Sequence, residues 1–413
     1  MPRVSPAALI VNAYAVGNWG DTAIAEATIA AARRAGFRRV VVATADAATH
    51  ASVWADLGAD ATVPSLVRLG DGPTRGTARR LALLARVVGR YLRARTGGSA
   101  DPAMRAYRDA DAVIAVGGGY LGGAKSGVNL VKLVNIRAAL DAGRPTIVAG
   151  VSVNPSSSMV RRLLRWGLRG STIFTRDRPS AELLDDLGAP AAVVPDMAVI
   201  APSLLDARSR VVAGRPRVGR IGWAPRAYRA DHSAWGRPEA TQAVVHEALR
   251  QVLRSGEVEL DLISHVYVTD VDDDSVAVAA ILDGFDADER SRIRVVGPAN
   301  SLPEAIERYR DLDVLVTSRM HAAIFAMAVG TPALAMDYEP KVSRVLGDLD
   351  LADRVLATDG SLRVEDVVAR IEQLTDPTAR SRTCAAFDEA GTRFAALDAA
   401  LARVAAGVPE ARP

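Results

Sequence analysis

The chain carries a single cysteine, Cys384, among 413 residues. It cannot close an intrachain disulfide, and no C-x-x-C pair offers a zinc site, so a reducing compartment fits and no metal is expected. Long apolar runs are also missing. The nearest, Ala322 to Met336, is broken by Gly330 and Pro332 and stays below the ~18 residues that suggest a spanning helix, so a soluble chain is expected. Excess charge of one sign is absent: 51 Lys and Arg face 48 Asp and Glu, a net of +3. Any useful positive potential is therefore local, and no nucleic-acid partner is expected. Short-period repeats and low-complexity segments are lacking, which excludes a solenoid. Arg3 and the apolar stretch after it resemble a signal peptide, but the stretch runs into a glycine loop and an amphipathic helix, so it reads as a first strand.

What is present is length and an alternating pattern. With 49% hydrophobic residues, 413 positions suffice for two α/β domains with full cores. Ala8 to Val16 reads as a buried strand, Thr22 to Ala35 as a helix and Arg39 to Thr44 as the next strand, a βαβ beginning. Further strands are expected at Ala112 to Val116, Thr146 to Val151 and Thr172 to Thr175. Pro195, Pro202 and Ala207 to Arg217 interrupt the pattern, which restarts at Val218 to Trp223 and continues near Leu260 to Ser264, Ile293 to Val296, Val314 to Thr317 and Ala333 to Asp337. The expectation is an α/β chain of two Rossmann-like domains facing across a cleft that holds the active site. Residues 1–210 form the first and 211–375 the second, and a helical segment, 376–413, packs back on the first.

Four segments bear on chemistry. In Gly17-Asn18-Trp19-Gly20-Asp21 a strand turns into a helix, aiming backbone N–H groups at the crevice. Asp21 suits either a helix cap or a group that takes a proton from a hydroxyl. Gly117-Gly118-Gly119 follows another strand and allows either close backbone approach to a ligand or a tight turn. Thr175-Arg176-Asp177-Arg178-Pro179 places guanidinium groups at a strand's carboxyl end, where they suit a carboxylate or phosphate, or else Arg176 pairs with Asp177 or the next helix. Ser318-Arg319-Met320-His321 sets a histidine in a first helical turn beside an arginine. The histidines at 50, 232, 246 and 265 read as structural. Asp270, Asp272 and Asp274 alternate like a calcium loop, but Ser275 and Ile281 replace the required glycine and glutamate, so the run reads as a solvated loop at a helix start.

Taken in order, Gly17-Asn18-Trp19-Gly20-Asp21-Thr22-Ala23-Ile24, Gly117-Gly118-Gly119, Thr175-Arg176-Asp177, Pro195-Asp196, Ser318-Arg319-Met320-His321 and Tyr338-Glu339-Pro340-Lys341 resemble the polysaccharide pyruvyl transferases, over about residues 8–350. The resemblance implies a glycosyltransferase-B-like fold and a cytoplasmic enzyme of cell-envelope polysaccharide biosynthesis. It would move the enolpyruvyl unit of phosphoenolpyruvate onto two hydroxyls of a sugar, forming a cyclic pyruvate ketal and releasing phosphate. The acceptor would be a glycan or lipid-linked glycan, with no cofactor beyond the donor substrate. On this reading His321 is the acid and Asp21 the base. Arg176, Arg319 and the more distant Lys341 bind the donor's anionic groups, and Gly17, Asn18, Gly20, Gly118 and Gly119 line the substrate. Met320 stands where the family often has Leu, a nearly volume-neutral change. Tyr120-Leu121-Gly122-Gly123 departs from the usual small polar run.

Two alternatives stand beside this. A nucleotide-sugar glycosyltransferase of the same fold would often carry two glutamates eight positions apart, where this chain has Thr317 and Phe325. A noncatalytic glycan-assembly protein is the other. Thr74 to Thr96 adds a basic amphipathic helix, with Ala78, Leu81, Leu84, Ala85, Val88 and Leu92 on one side and Arg79, Arg86, Arg90 and Arg93 on another. No Asp or Glu lies between Gly72 and Ala100, so either a core-packed helix or peripheral contact with an anionic membrane at its inner face is expected.

Overall fold

The computed structural model describes residues 6–14, 17–45, 47–67, 85–93, 102–123, 126–212, 219–226, 228, 237–255, 258–268 and 272–407. By packing, the chain divides into two units. One comprises Met1–Tyr14, Ile24–Met197 and Arg393–Pro413; the other comprises Ala15–Ala23 and Ala198–Thr392. The first boundary thus falls before residue 210, and the segment holding Gly17, Asn18, Gly20 and Asp21 packs with the second unit rather than the first.

The first unit begins with β1 (Ala7–Val11), the helix α1 (Trp19–Arg34), whose first turn counts with the other unit, and β2 (Arg39–Thr44). It continues through α2 (Ala51–Asp56), β3 (Ala61–Pro64), a helical run α3 (85–93) and α4 (Pro102–Asp109). β4 (Ala112–Gly123), α5 (Ser126–Asp141), β5 (Thr146–Pro155), α6 (Ser158–Leu168), β6 (Thr172–Thr175), α7 (Arg178–Asp186) and β7 (Ala191–Val193) complete its sheet. All seven strands are parallel, in the order β3-β2-β1-β4-β5-β6-β7. The central strands are buried on both faces, which is why they read as unbroken apolar runs rather than alternations. Gly117 and Gly118 serve this sheet. A Cβ on Gly117 would overlap the carbonyl oxygens of Ala149 and Gly150 on β5, and Gly118 has φ +133° beside a register shift. The glycine run therefore has a reason inside the strand pair, close approach of backbone to backbone.

The second unit opens with α8 (Pro202–Ser209), β8 (Arg220–Ala224), α9 (Pro238–Arg254), β9 (Glu259–Ile263) and two short strands, β10 (Tyr267–Val268) and β11 (Asp272–Asp273). Then follow α10 (Asp274–Asp283), α11 (Ala287–Arg290), β12 (Ile293–Val296), α12 (Leu302–Glu307), β13 (Val314–Thr317), α13 (Met320–Ala328), β14 (Ala333–Met336), α14 (Lys341–Gly347), β15 (Val355–Leu356), α15 (Val364–Leu374) and α16 (Pro377–Thr392). The last helix, α17 (Ala395–Ala405), counts with the first unit. The six-stranded sheet is again parallel, in the order β12-β9-β8-β13-β14-β15. From β8 the chain moves outward to β9 and β12, then returns to the other side of β8 for β13. The ends of β8 and β13 therefore flank the topological switch point, where open parallel sheets take their ligands.

The apolar stripe expected along Thr74 to Thr96 is corrected where the structure describes it; 74–84 and 94–96 lie outside the described residues. Within α3, Val87 is buried and the Tyr91 ring packs edge-on against Trp166, while Val88 and Leu92 are 43% and 50% exposed. The inward face is thus rotated by one residue, about 100° on a helix, because Tyr91 anchors it through a hydroxyl donating to Asp141 (2.5 Å).

Candidate functional site

α13 explains why a histidine stands at the end of β13. Eight of its nine residues are buried, as in a helix apolar all round; His321 alone is half-buried. Arg319 is the residue before the helix and His321 its second, so both leave the sheet at its carboxyl edge.

The Gly17–Asp21 loop packs on this edge, within the same unit. The Tyr267 N–H donates to the Gly17 carbonyl (2.8 Å), and Asn18 forms an antiparallel bridge with Val266. Gly17 has φ +79°, and a Cβ there would overlap the Tyr267 carbonyl oxygen. At Gly20 the reason for glycine is His321 itself: a Cβ would lie 2.7 Å from the His321 Cβ and closer still to Nδ1 and Cγ. The imidazole thus rests on bare backbone. Asn18, not Asp21, does the capping, since its Oδ1 accepts from the N–H groups of Gly20 (3.2 Å) and Asp21 (3.5 Å). Its amide also donates to Asp21 Oδ2 (2.8 Å), which fixes that carboxylate in the first turn of α1. Asp21 and His321 are therefore brought to one edge of one unit, whereas the sequence suggested opposite domains.

Arg319 is 8% exposed and gives its fork to Asp274, with Nε 3.1 Å from both carboxylate oxygens and a further bond from Nη2. Asp274, read in the sequence as part of a solvated loop, is fully buried and begins α10. It also accepts from the N–H groups of His265 (3.3 Å) and Val266 (3.0 Å), so one carboxylate ties Arg319 to Val266, the bridge partner of Asn18. The alternating aspartates hid it, because their spacing imitates an exposed turn. His265 is structural as expected: buried, its Nδ1 2.8 Å from the Tyr309 hydroxyl and its ring edge-on to Phe325. Burial, with His321, Arg319 and Arg308 close by, pushes its pKa well below the ordinary value.

The end of β14 contributes Tyr338, Glu339 and Lys341. Lys341 pairs with Glu339 (2.6 Å), and its Nζ lies 5.4 Å from the centre of the Tyr338 ring. Burial opposes its charge, but Tyr338 and Glu339 hold the ammonium pKa above its ordinary value. Sequence reasoning did not single out Arg226 or Tyr228. The only available signal for Arg226 was its place just after a strand, the same one that identified Arg319.

Arg176 is bound within its own unit. It lies in the first unit at 2% exposure, with Nη1 bonded to Asp196 (2.6 Å) and Nε to Ser152 (2.8 Å). Asp177, one of the alternative partners expected for it, caps α7 through the Ser180 N–H (2.9 Å) and accepts from Ser152. This ion pair explains why Thr175-Arg176-Asp177 and Pro195-Asp196 belong together. The same unit has its own polar edge past β1. Asn12, at φ +64°, receives a bond from Asn135 (3.0 Å), and Lys132 donates to its carbonyl (2.9 Å). Lys132 also stands 5.1 Å from the Tyr120 ring centre. Among the described residues no group of three or more His, Cys, Asp or Glu side chains is placed to hold a metal, and no helix is long and apolar enough to cross a membrane.

Solved structures share the fold at low identity. A UDP-N-acetylglucosamine 2-epimerase aligns over 100% of this chain and 99% of its own, with TM-score 0.59 and 13% identity. A glycosyltransferase from Rickettsia africae aligns over 98% of each chain, at TM-score 0.56 and 11% identity. Anabaena HepE, solved with UDP and glucose, covers 97% of this chain and 98% of its own, at TM-score 0.54 and 14% identity. These likenesses show a glycosyltransferase-B-like fold built from two Rossmann-like units. No curated protein matches the sequence. The family model for polysaccharide pyruvyl transferase matches residues 18–340, a span that runs from Asn18 of the loop beneath His321 to Pro340, next to Lys341. The chain is therefore a transferase belonging to the polysaccharide pyruvyl transferase family.

Proposed function

We propose that this transferase moves pyruvate from phosphoenolpyruvate onto two hydroxyls of a sugar in a cell-envelope polysaccharide or glycolipid, forming a cyclic ketal and releasing phosphate. The carrying observation is His321 seated on Gly20, with Arg319 beside it and Asp21 in the adjoining helical turn. Phosphoenolpyruvate needs a proton on its methylene carbon, which makes the neighbouring carbon an oxocarbenium-like electrophile. His321 supplies that proton. A sugar hydroxyl then attacks and gives its proton to Asp21; the second hydroxyl attacks the same carbon as phosphate leaves with its bonding electrons, and the departing phosphate takes the second proton. Arg319 and Lys341 bring positive charge to the carboxylate and phosphate.

The nucleotide-sugar alternative finds less support. Thr317 is buried and donates to the Ala224 carbonyl (3.1 Å), while Phe325 is core packing against His265, so neither can hold a ribose or phosphate. Envelope glycans are often assembled on lipid carriers, which fits a cytoplasmic enzyme touching the anionic inner membrane surface through α3, where Arg86, Arg90 and Arg93 accompany exposed Val88 and Leu92. The deciding assay supplies phosphoenolpyruvate and an envelope-glycan acceptor, measures phosphate release and examines the product by mass spectrometry for a carboxyethylidene group. Acceptor-dependent phosphate release with that product is expected. Turnover with a UDP-sugar and none with phosphoenolpyruvate would overturn the reading.

A further inference from the structure

We infer that α6 and α3 form one docking face, on the first unit, for an anionic lipid bilayer. This rests on the membrane contact proposed above for α3 and extends it to a second helix. α6 seats itself in the core through Val160, Leu164 and Leu168, buried at helical spacing. Its opposite side is basic: Arg162, Arg165 and Arg169 are exposed, and Arg161 is half-buried. No Asp or Glu occurs from Ala142 to Arg176, and among the described residues no ion pair involves Arg161, Arg162 or Arg165. Arginines gathered on so short a helix repel one another, and an anionic surface reverses the sign of that term.

Tyr91 brings α3 alongside. Its ring stands edge-on to Trp166 with centres 5.5 Å apart, and Trp166 shares a flank of α6 with Met159, about two turns earlier. The flank that meets α3 thus ends in an exposed methionine. α3 has no acid between 85 and 93 and adds Arg86, Arg90 and Arg93, all exposed. Asp141, which meets Tyr91, is already bonded by Arg137 through Nε (2.9 Å) and Nη2 (2.6 Å), so its charge is matched there. The apolar residues select a bilayer over a polyanion such as nucleic acid. Eight large hydrophobic side chains stand exposed among the described residues, and three are on these two helices: Met159 at 59%, Leu92 at 50% and Val88 at 43%. A phosphate backbone would meet the arginines and leave these three in water. A bilayer takes them below its headgroups while the arginines reach the lipid phosphates.

The test is cosedimentation of the full chain with vesicles of equal parts phosphatidylglycerol and phosphatidylcholine, and with vesicles of phosphatidylcholine alone. Binding to the first and not the second is expected, falling as salt is raised. Arg162→Gln, Arg165→Gln and Arg169→Gln combined should lower the partition about 100-fold. Lysine at the same three positions should keep it within a few-fold, because headgroup attraction needs charge rather than fork geometry. Met159→Ser should weaken binding several-fold. All variants should melt near the parent, since the changed side chains are exposed. A parent protein that ignores anionic vesicles, or binds both kinds alike, overturns the proposal, as does parent-like binding by the combined Gln variant. A folded Lys variant that no longer binds overturns it as well. Tighter binding to a single-stranded oligonucleotide, unchanged by Met159→Ser, would assign the face to nucleic acid instead. Phosphate release from phosphoenolpyruvate with a water-soluble acceptor should be unaffected by the Gln replacements. Its absence in the parent would strike the donor reading and leave the vesicle result intact.

Discussion

His321 and Gly20 form a pair in which each explains the other. The imidazole occupies the space where any larger residue at position 20 would put its Cβ. Gly20→Ala should therefore displace the ring without unfolding the unit, and turnover should fall about 100-fold or more, the usual contribution of a positioned acid. His321→Asn should abolish transfer while donor binding, followed by calorimetry, stays within a few-fold. Near-parental turnover in either variant would remove His321 from the chemistry. Asp274 is a different case. Asp274→Asn leaves the Arg319 guanidinium at 8% exposure without its ion partner, and breaking a buried pair from one side costs about 3–5 kcal/mol. A lowered melting temperature together with reduced turnover is expected, and an unchanged melting temperature would show that the pair contributes little. Arg176→Lys should lower the melting temperature, because its fork bonds Asp196 and Ser152.

Elements were legible where apolar or β-branched residues cluster; β12, an edge strand with no buried residue, read through Ile293, Val295 and Val296. β2, β6, β12 and β13 lie where the apolar runs placed them, and the two-unit α/β plan followed from their alternation with helices. β3 and β7 gave no signal. They are sheet-edge strands of four and three residues with no fully buried position, so neither an apolar run nor an alternation marks them. The Arg319–His321 turn was readable because the chemistry sits just past a strand. The Arg319–Asp274 and Arg176–Asp196 pairs were not, because their partners are 45 and 20 residues apart and only tertiary packing joins them. α3 shows the same limit on a helix, where a tyrosine anchored on Asp141 turned the stripe. Val87→Ala should therefore destabilise the first unit, while Leu92→Ser, at 50% exposure, should leave stability within about 0.5 kcal/mol. If α3 touches membrane, replacing Arg86, Arg90 and Arg93 by Gln should abolish low-salt cosedimentation with anionic vesicles. Binding indifferent to those changes would exclude that contact.

For the molecule as a whole, two histidines in the second unit link folding to pH. His265 is pushed well below its ordinary value of 6.5 by burial first and then by His321, Arg319 and Arg308. His246 is lowered by burial and then by Arg250, with Glu247 and Glu289 opposing. His265 is held neutral in the folded unit and His246 is shifted the same way, whereas in the unfolded chain both take up protons as pH falls through 6.5. Their contribution to stability is thus complete above that value and is lost as the solution is acidified. Each proton bound only by the unfolded chain changes stability by about 1.4 kcal/mol per pH unit. Carboxylates held low by arginines, such as Glu307 at about 2 beside Arg310 and Arg210, titrate well below this window, while Asp337, raised by burial, opposes the histidines as pH falls. Urea unfolding followed between pH 7.5 and 5.5 should show falling stability, with His265 the main contributor to the slope. In His265→Gln the slope should drop by about one proton, since the remaining term belongs to His246. If the variant and the parent have the same slope, His265 is not held neutral in the folded unit.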